Sequence, residues 1–118
     1  MHELSLMEAV RELALEQARA HGGGPIAVIR LRIGSLAGVE PEALRFAHGV
    51  VMAGTAAEGA VLEIEAVPAR FHCEPCGQPF AAPQGDCLCP RCGAFSRRLL
   101  QGRELELAAL ELVAQEFS

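Results

Sequence analysis

The sharpest chemical signal in the sequence is a pair of C-x-x-C-G knuckles, Cys73 and Cys76 in HCEPCG and Cys89 and Cys92 in CLCPRCG. The twelve residues Gly77 to Leu88 separate them, and two such pairs make four thiolates converge. In each knuckle a tight turn lets both sulfurs reach one ion, and the following glycine lets backbone amides approach the sulfurs. Four soft thiolates in a tetrahedron suit zinc, and a closed four-cysteine set leaves no open coordination position for catalysis. The cysteines number five, all between Cys73 and Cys92, and an odd, clustered set argues for ligation over a disulfide framework.

The same four sulfurs would serve a rubredoxin-like iron centre, since CPRCG is similar to a knuckle of that family. A nucleic-acid-binding zinc ribbon is a further reading, with Arg91, Arg97 and Arg98 as phosphate contacts. Cys87 is one thiol too many. It is read either as a spare, partly exposed cysteine or as an exchangeable fifth ligand that replaces Cys89. His72, just before Cys73, is the one histidine placed to substitute at the cluster.

A second constellation stands at the start, in MHELSLMEAV. The amine of Met1, the amide nitrogen of His2 and the imidazole of His2 can chelate one ion through fused rings that need no fold to preorganise them. Such nitrogen-rich, planar ligation suits Ni(II) or Cu(II) far better than zinc. Because the amine titrates near roughly 7.7 to 8.0, binding of this kind weakens in acid.

The elements that would position these groups are legible in the spacing of apolar residues. Leu6, Val10, Leu13 and Ala14 recur at helical intervals, Ser5 and Glu8 form an S-x-x-E capping box, and Gly22 to Gly24 end the helix. On that reading the helix starts near Ser5 and fixes His2 and Glu3 at its entrance. In PIAVIRLRIGS, Ala27, Ile29, Leu31 and Ile33 alternate with Arg30 and Arg32, as a strand with one wet face requires. Pro41 opens a second helix with Leu44, Ala47 and Val51 on one face and Gly54 as its stop. A second strand alternates Leu62, Ile64 and Ala66 with Glu63 and Glu65, and Pro68 marks its end.

Residues 69–102 exchange periodic apolar residues for glycine, proline and cysteine, the mark of a small metal-stapled unit. The tail GRELELAALELVAQEFS alternates like a strand, yet its Leu, Glu and Ala favour helix. His21, in the last turn of the first helix, is read as offsetting the helix dipole, and His48 as a surface or interface residue.

The formal charge of −5 excludes a general electrostatic attraction to nucleic acid or anionic membrane. No apolar run reaches the roughly 18 residues of a membrane span, and Glu3 and Glu8 interrupt the place where a signal peptide would be apolar. A cytoplasmic, non-enzymatic protein is expected. Acidic helix faces carrying Leu and Arg invite pairing into a homodimer, and equally describe ordinary surface.

MHE at the start, the helix, strand, helix, strand order, the paired C-x-x-C knuckles and the closing GRELELAALEL together resemble the HypA/HybF family of hydrogenase nickel-incorporation proteins. The resemblance covers essentially the whole chain. It implies an α+β fold in which a small sheet of about three strands packs with two helices, and the tail becomes a strand. A four-cysteine zinc-ribbon-like domain, 69–102, is inserted, so the nickel-binding domain is 1–68 together with 103–118. The implied function is that of a nickel metallochaperone, which binds Ni(II) as transient cargo and helps insert it into the [NiFe]-hydrogenase large subunit precursor, in concert with a HypB-family GTPase. The nickel residues carried over are Met1, His2 and Glu3, with Glu40 as a possible addition, and Cys73, Cys76, Cys89 and Cys92 hold structural Zn(II). Gly77 and Gly93 stand where some relatives have histidines linked to pH-dependent zinc ligation, which removes that route here. The competing class is a zinc-ribbon interaction or nucleic-acid-binding module with no nickel role.

Overall fold

Helix α1 (His2–Ala20) begins three residues earlier than the capping signature suggests. Ser5 and Glu8 therefore lie inside the helix and do not cap it, because nothing among His2, Glu3 and Leu4 breaks a helix and the acidic Glu3 suits a first turn. The C-terminus follows the sequence closely: Gly23 N–H donates to Ala18 O (2.8 Å) and Gly22 N–H to Arg19 O (3.3 Å), a Schellman closure. Gly22 makes it possible with φ of 102°. His21 Nδ1–H donates to Gln17 O at 2.9 Å, so this imidazole caps the last carbonyls as expected. The computed structural model describes residues 2–83 and 85–113.

The buried stripe of α1 is Met7, Val10, Ala14 and Ala18. Leu13, expected on that face, is half exposed, and Leu6 is only partly covered. Helix α1 packs on α2 (Pro41–Met52). On α2 the expected Leu44, Ala47 and Val51 are buried, joined by Met52 and by His48. His48 is thus a core residue, whose position between Leu44 and Met52 on the buried face takes it out of water. Pro41 at the first helical position and Gly54 (φ 77°) after the last turn bound this helix as expected.

The first sheet has the order β2 (Val61–Val67), β1 (Ile26–Gly34), β6 (Leu105–Leu112). Arg30 on β1 bonds Glu63 (2.7 Å) and Arg32 bonds Glu65 (2.9 Å), steps that run the same way along both strands. β1 and β2 are therefore parallel, as a crossover through α2 demands. Arg30 also bonds Glu111 (3.1 Å) and Arg32 bonds Glu106 (2.9 Å), with the order reversed, so β6 is antiparallel to β1. The tail is thus a strand through Leu112: cross-strand partners outside the segment outweigh its helical propensity. On β2, Leu62 is buried as expected, but Ala66 is exposed, and Val67 takes the inward place before Pro68.

The chain forms two compact units, one of Met1–Leu31, Val39–Ile64 and Leu107–Ser118, the other of Arg32–Gly38 and Glu65–Glu106. In the first, Met7, Ile29, Leu31, Leu44 and Met52 are almost completely buried and form the heart of an apolar core. The second contains the sheet β4 (Gln78–Ala81), β3 (Arg70–Cys73), β5 (Arg98–Gln101), with Phe71 and Phe80 stacked at 5.9 Å. It also contains a tight backbone crossing: Ser35 N–H donates to Val67 O (2.9 Å), Leu36 N–H to Gly102 O (2.7 Å), and Ala69 N–H to Ser35 Oγ (3.0 Å). Gly34 lies so close here that a Cβ on it would fall 2.1 Å from the Gly102 carbonyl carbon.

Candidate metal centre

The two knuckles fold alike because each needs the same turn. Gly77 N–H donates to Cys73 O and Gly93 N–H to Cys89 O, both at 2.8 Å, and both glycines have positive φ (65° and 75°). Cys73 ends β3, which places the first knuckle in the turn to β4. The second is tied back by Cys89 N–H to Ala94 O (2.9 Å) and by the Leu88 to Phe95 bridge. Ser96, almost buried, donates its hydroxyl to His72 O (2.5 Å) and accepts the Arg98 N–H (3.2 Å), which fixes β5 beside β3.

As a result the sulfurs of Cys73, Cys76, Cys89 and Cys92 all lie within 4.8 Å of one another, with Cys73 and Cys92 at 3.5 Å. A tetrahedral zinc with sulfurs at about 2.3 Å sets neighbouring sulfurs about 3.8 Å apart, so the four residues fit the ion. Cys73 and Cys89 are buried, while Cys92 is exposed. Their thiols diverge. The Cys76 amide hydrogen bond lowers the Cys73 pKa, but burial and hydrogen bonds with the other three sulfurs push it up to about 12. The Cys92 amide draws the Cys89 thiol down to about 6 against the effect of burial, helped by the Arg91 amide. Backbone donors thus already face sulfur, the arrangement that stabilises bound thiolates, and zinc bound here would be structural.

Cys87 stands apart from this set: it is half-buried, packs against the Phe71 and Phe80 cluster, and its Sγ approaches Gly85 O at 3.8 Å. His72 does not join the cluster either, among the described residues. Arg91 is a residue whose role the sequence hid. Its guanidinium bonds the Cys76 sulfur, which raises its pKa, and reaches Pro79 O at 3.3 Å. Arg98 faces Glu74 at 3.6 Å. Two of the three arginines considered as phosphate contacts therefore face the site's own groups.

At the other candidate site, His2 is exposed in the first turn of α1. Glu3 Oε2 accepts the Glu40 N–H at 3.1 Å, which brings Glu3 and Glu40 together from 37 residues apart. This bond, then its own backbone amide, hold the Glu3 carboxyl below its usual range. The Glu40 side chain is exposed and makes no capping bond. Met1, expected to supply the amine, lies outside the described residues.

Among the described residues no helix is long and apolar enough to cross a membrane. Comparison with known proteins gives one answer throughout. Residues 1–112 match the family described as "Hydrogenase/urease nickel incorporation, metallochaperone, hypA". The hydrogenase maturation factor HypA of Roseiflexus sp. (strain RS-1) is 47% identical over 112 residues, 94% of this chain and 91% of that one. The protein of the same name from Acidithiobacillus ferrooxidans is 46% identical and covers 95% and 99%. The solution structure of the Ni metallochaperone HypA from Helicobacter pylori superposes with a TM-score of 0.67 at 22% identity, covering 96% of this chain and 98% of that one. A second solution structure of a HypA protein gives 0.70 at 22% identity over 98% of each chain. With its two helices, small sheets and four-cysteine cluster, the chain belongs to the HypA family of nickel-incorporation metallochaperones that serve hydrogenase maturation.

Proposed function

We propose that this chain carries Ni(II) at its N-terminus and passes it to the large subunit of a [NiFe]-hydrogenase precursor, with a HypB-family GTPase as partner. The observation that carries the reading is the exposed His2 at the start of a helix whose next residue is tied to Glu40, in a chain matched by its family from residue 1. Met1 supplies the amine, and His2 supplies its amide nitrogen and imidazole. Glu3 supports the site, and Glu40 stands beside it. Residues 1–68 with 103–118 form the nickel-binding part, and 69–102 the zinc-binding part, where Cys73, Cys76, Cys89 and Cys92 hold zinc. Handover follows from the donor set: an exposed terminal chelate yields its nitrogens one at a time to an incoming ligand, whereas four enclosed thiolates do not. The protein acts in the cytoplasm as a carrier and has no catalytic residues of its own.

The test is an equilibrium titration of tag-free protein with nickel beside His2→Ala. Loss of binding in the variant, with zinc content unchanged, supports the reading. Equal binding by both would remove the terminal site and favour a module whose metal is purely structural.

A further inference from the structure

Four thiolates around one divalent ion leave the site negative overall, and Glu74, inside the first knuckle, adds to that charge. Arg98 answers the carboxylate of Glu74, at 3.6 Å. Arg91 is turned on the sulfurs themselves. It stands between Cys89 and Cys92 in the second knuckle, yet its guanidinium donates to the Cys76 sulfur of the first, and to a lesser degree to Cys89. Its backbone amide also donates to the Cys89 sulfur. The same side chain reaches Pro79 O at 3.3 Å, on β4, an edge strand of its sheet. A guanidinium is a planar fork of five donors, so one group can meet a carbonyl and a sulfur at once, which the point-like ammonium of a lysine does less well.

We infer that Arg91 is a clamp on the zinc site: its fork ties Cys76 and β4 to the second knuckle, its charge offsets that of the thiolates, and together these retain the ion. This rests on the zinc reading above. Arg91 is a positioning residue, since it touches the ligands and not the metal. Cys76 is only half-buried, so packing alone does not hold its sulfur, and the first sulfur to leave a closed set opens the ion to a competing ligand. The clamp opposes that first step. Because the guanidinium is exposed, the part of its effect that comes from charge is screened by salt, while the part that comes from the fork is not. A chain whose family handles nickel thus keeps its structural ion under conditions that move the cargo.

The experiment compares wild type, Arg91→Gln, Arg91→Lys and Arg97→Gln as full-length, tag-free, zinc-loaded proteins. Zinc affinity is read by competition with a chromophoric chelator at low and high salt, the sulfur set by zinc X-ray absorption, and the fold by circular dichroism. Arg91→Gln should lose about ten- to a hundredfold in affinity, the range for a group that orients a ligand, with four sulfurs and the fold of the zinc-loaded form unchanged. Arg91→Lys keeps the charge and loses the fork, so it should fall between the two and approach Arg91→Gln at high salt. Arg97→Gln, which removes the same charge from an exposed neighbour, should bind like wild type. Wild-type affinity in Arg91→Gln or in Arg91→Lys overturns the clamp. An equal loss in Arg97→Gln also overturns it, in favour of a general effect of net charge. A changed sulfur set or a lost fold in both Arg91 variants overturns it in favour of a purely architectural role. The zinc reading is tested separately by the wild type: if it does not hold one zinc on four sulfurs, that reading fails first.

Discussion

The four-cysteine cluster and the MHE terminus, proposed above as the nickel site, are built in opposite ways. At the cluster every donor is a side chain, two of the sulfurs are buried, and backbone amides face sulfur before any ion arrives. At the terminus the imidazole is exposed, most of the proposed donor atoms belong to the backbone, and the Glu40 N–H donates to the Glu3 carboxylate. The difference teaches how one small chain can separate retention from delivery. Enclosure and a complete set of soft ligands make a site that keeps its ion, and exposure with few donors makes one that exchanges it.

The largest effect should come from removing one sulfur. Cys73→Ser is expected to abolish stoichiometric zinc and unfold the region around β3 to β5, because structural zinc contributes on the order of 10 kcal/mol to a segment of this kind. Circular dichroism and metal analysis would check it, and nickel binding should survive. Loss of both metals together would merge what the comparison separates.

Gly34→Ala comes next. Its Cβ would lie 2.1 Å from the Gly102 carbonyl carbon, and backbone cannot give way as a flexible side chain can. A loss of roughly 3 kcal/mol or more is expected in urea unfolding of the zinc-loaded protein, with nickel affinity at the terminus little changed.

A smaller effect should separate the two regions by pH. Burial, then the neighbouring Arg45, lower the His48 pKa, and the Nε2 has no hydrogen-bond partner among the described residues. The folded state therefore holds His48 neutral while the unfolded chain binds a proton as pH falls through about 6.5. The sign is fixed: stability is complete above that pH and declines below it. His48→Phe should flatten this decline in a stability profile between pH 7.5 and 5.5. Wild-type behaviour in the variant would show that another group governs the acid response.

The smallest change should be Arg30→Gln. It breaks exposed ion pairs to Glu63 and Glu111, each worth about 0 to 1 kcal/mol, and should leave both metal sites as they are. Cys87→Ser should likewise leave zinc stoichiometry unchanged, since its sulfur lies outside the cluster.

These regions also differ in how far they could be read before the fold was known. The cysteine site was legible because the spacing within each knuckle is itself the geometry, and Gly77 and Gly93 follow from the turn. Strand β1 and the end of α1 at Gly22 were legible for the same reason, since local rules decide them. The stripe of α1 was not: Met7 and Ala18 are buried while Leu13 is half exposed, a choice that apolar spacing within the helix does not make by itself. The tail obeys β1, a strand some eighty residues earlier. Glu3 could be placed only at a helix entrance, because its partner amide is remote in sequence and backbone groups leave no mark on residue type. Arg91 carried a faint signal, its place inside the second knuckle, yet its side chain could as well have faced solvent.

The central claim is that the nickel site begins at the backbone of Met1, and one covalent change tests it while sparing every side chain. Tag-free protein and the same protein with two residues added before Met1 would be titrated with nickel at constant zinc content. The account predicts exchangeable binding with a planar nickel spectrum in the first, loss of both in the second, and one zinc per chain in both. Equal nickel affinity and an identical spectrum in the two proteins would contradict it.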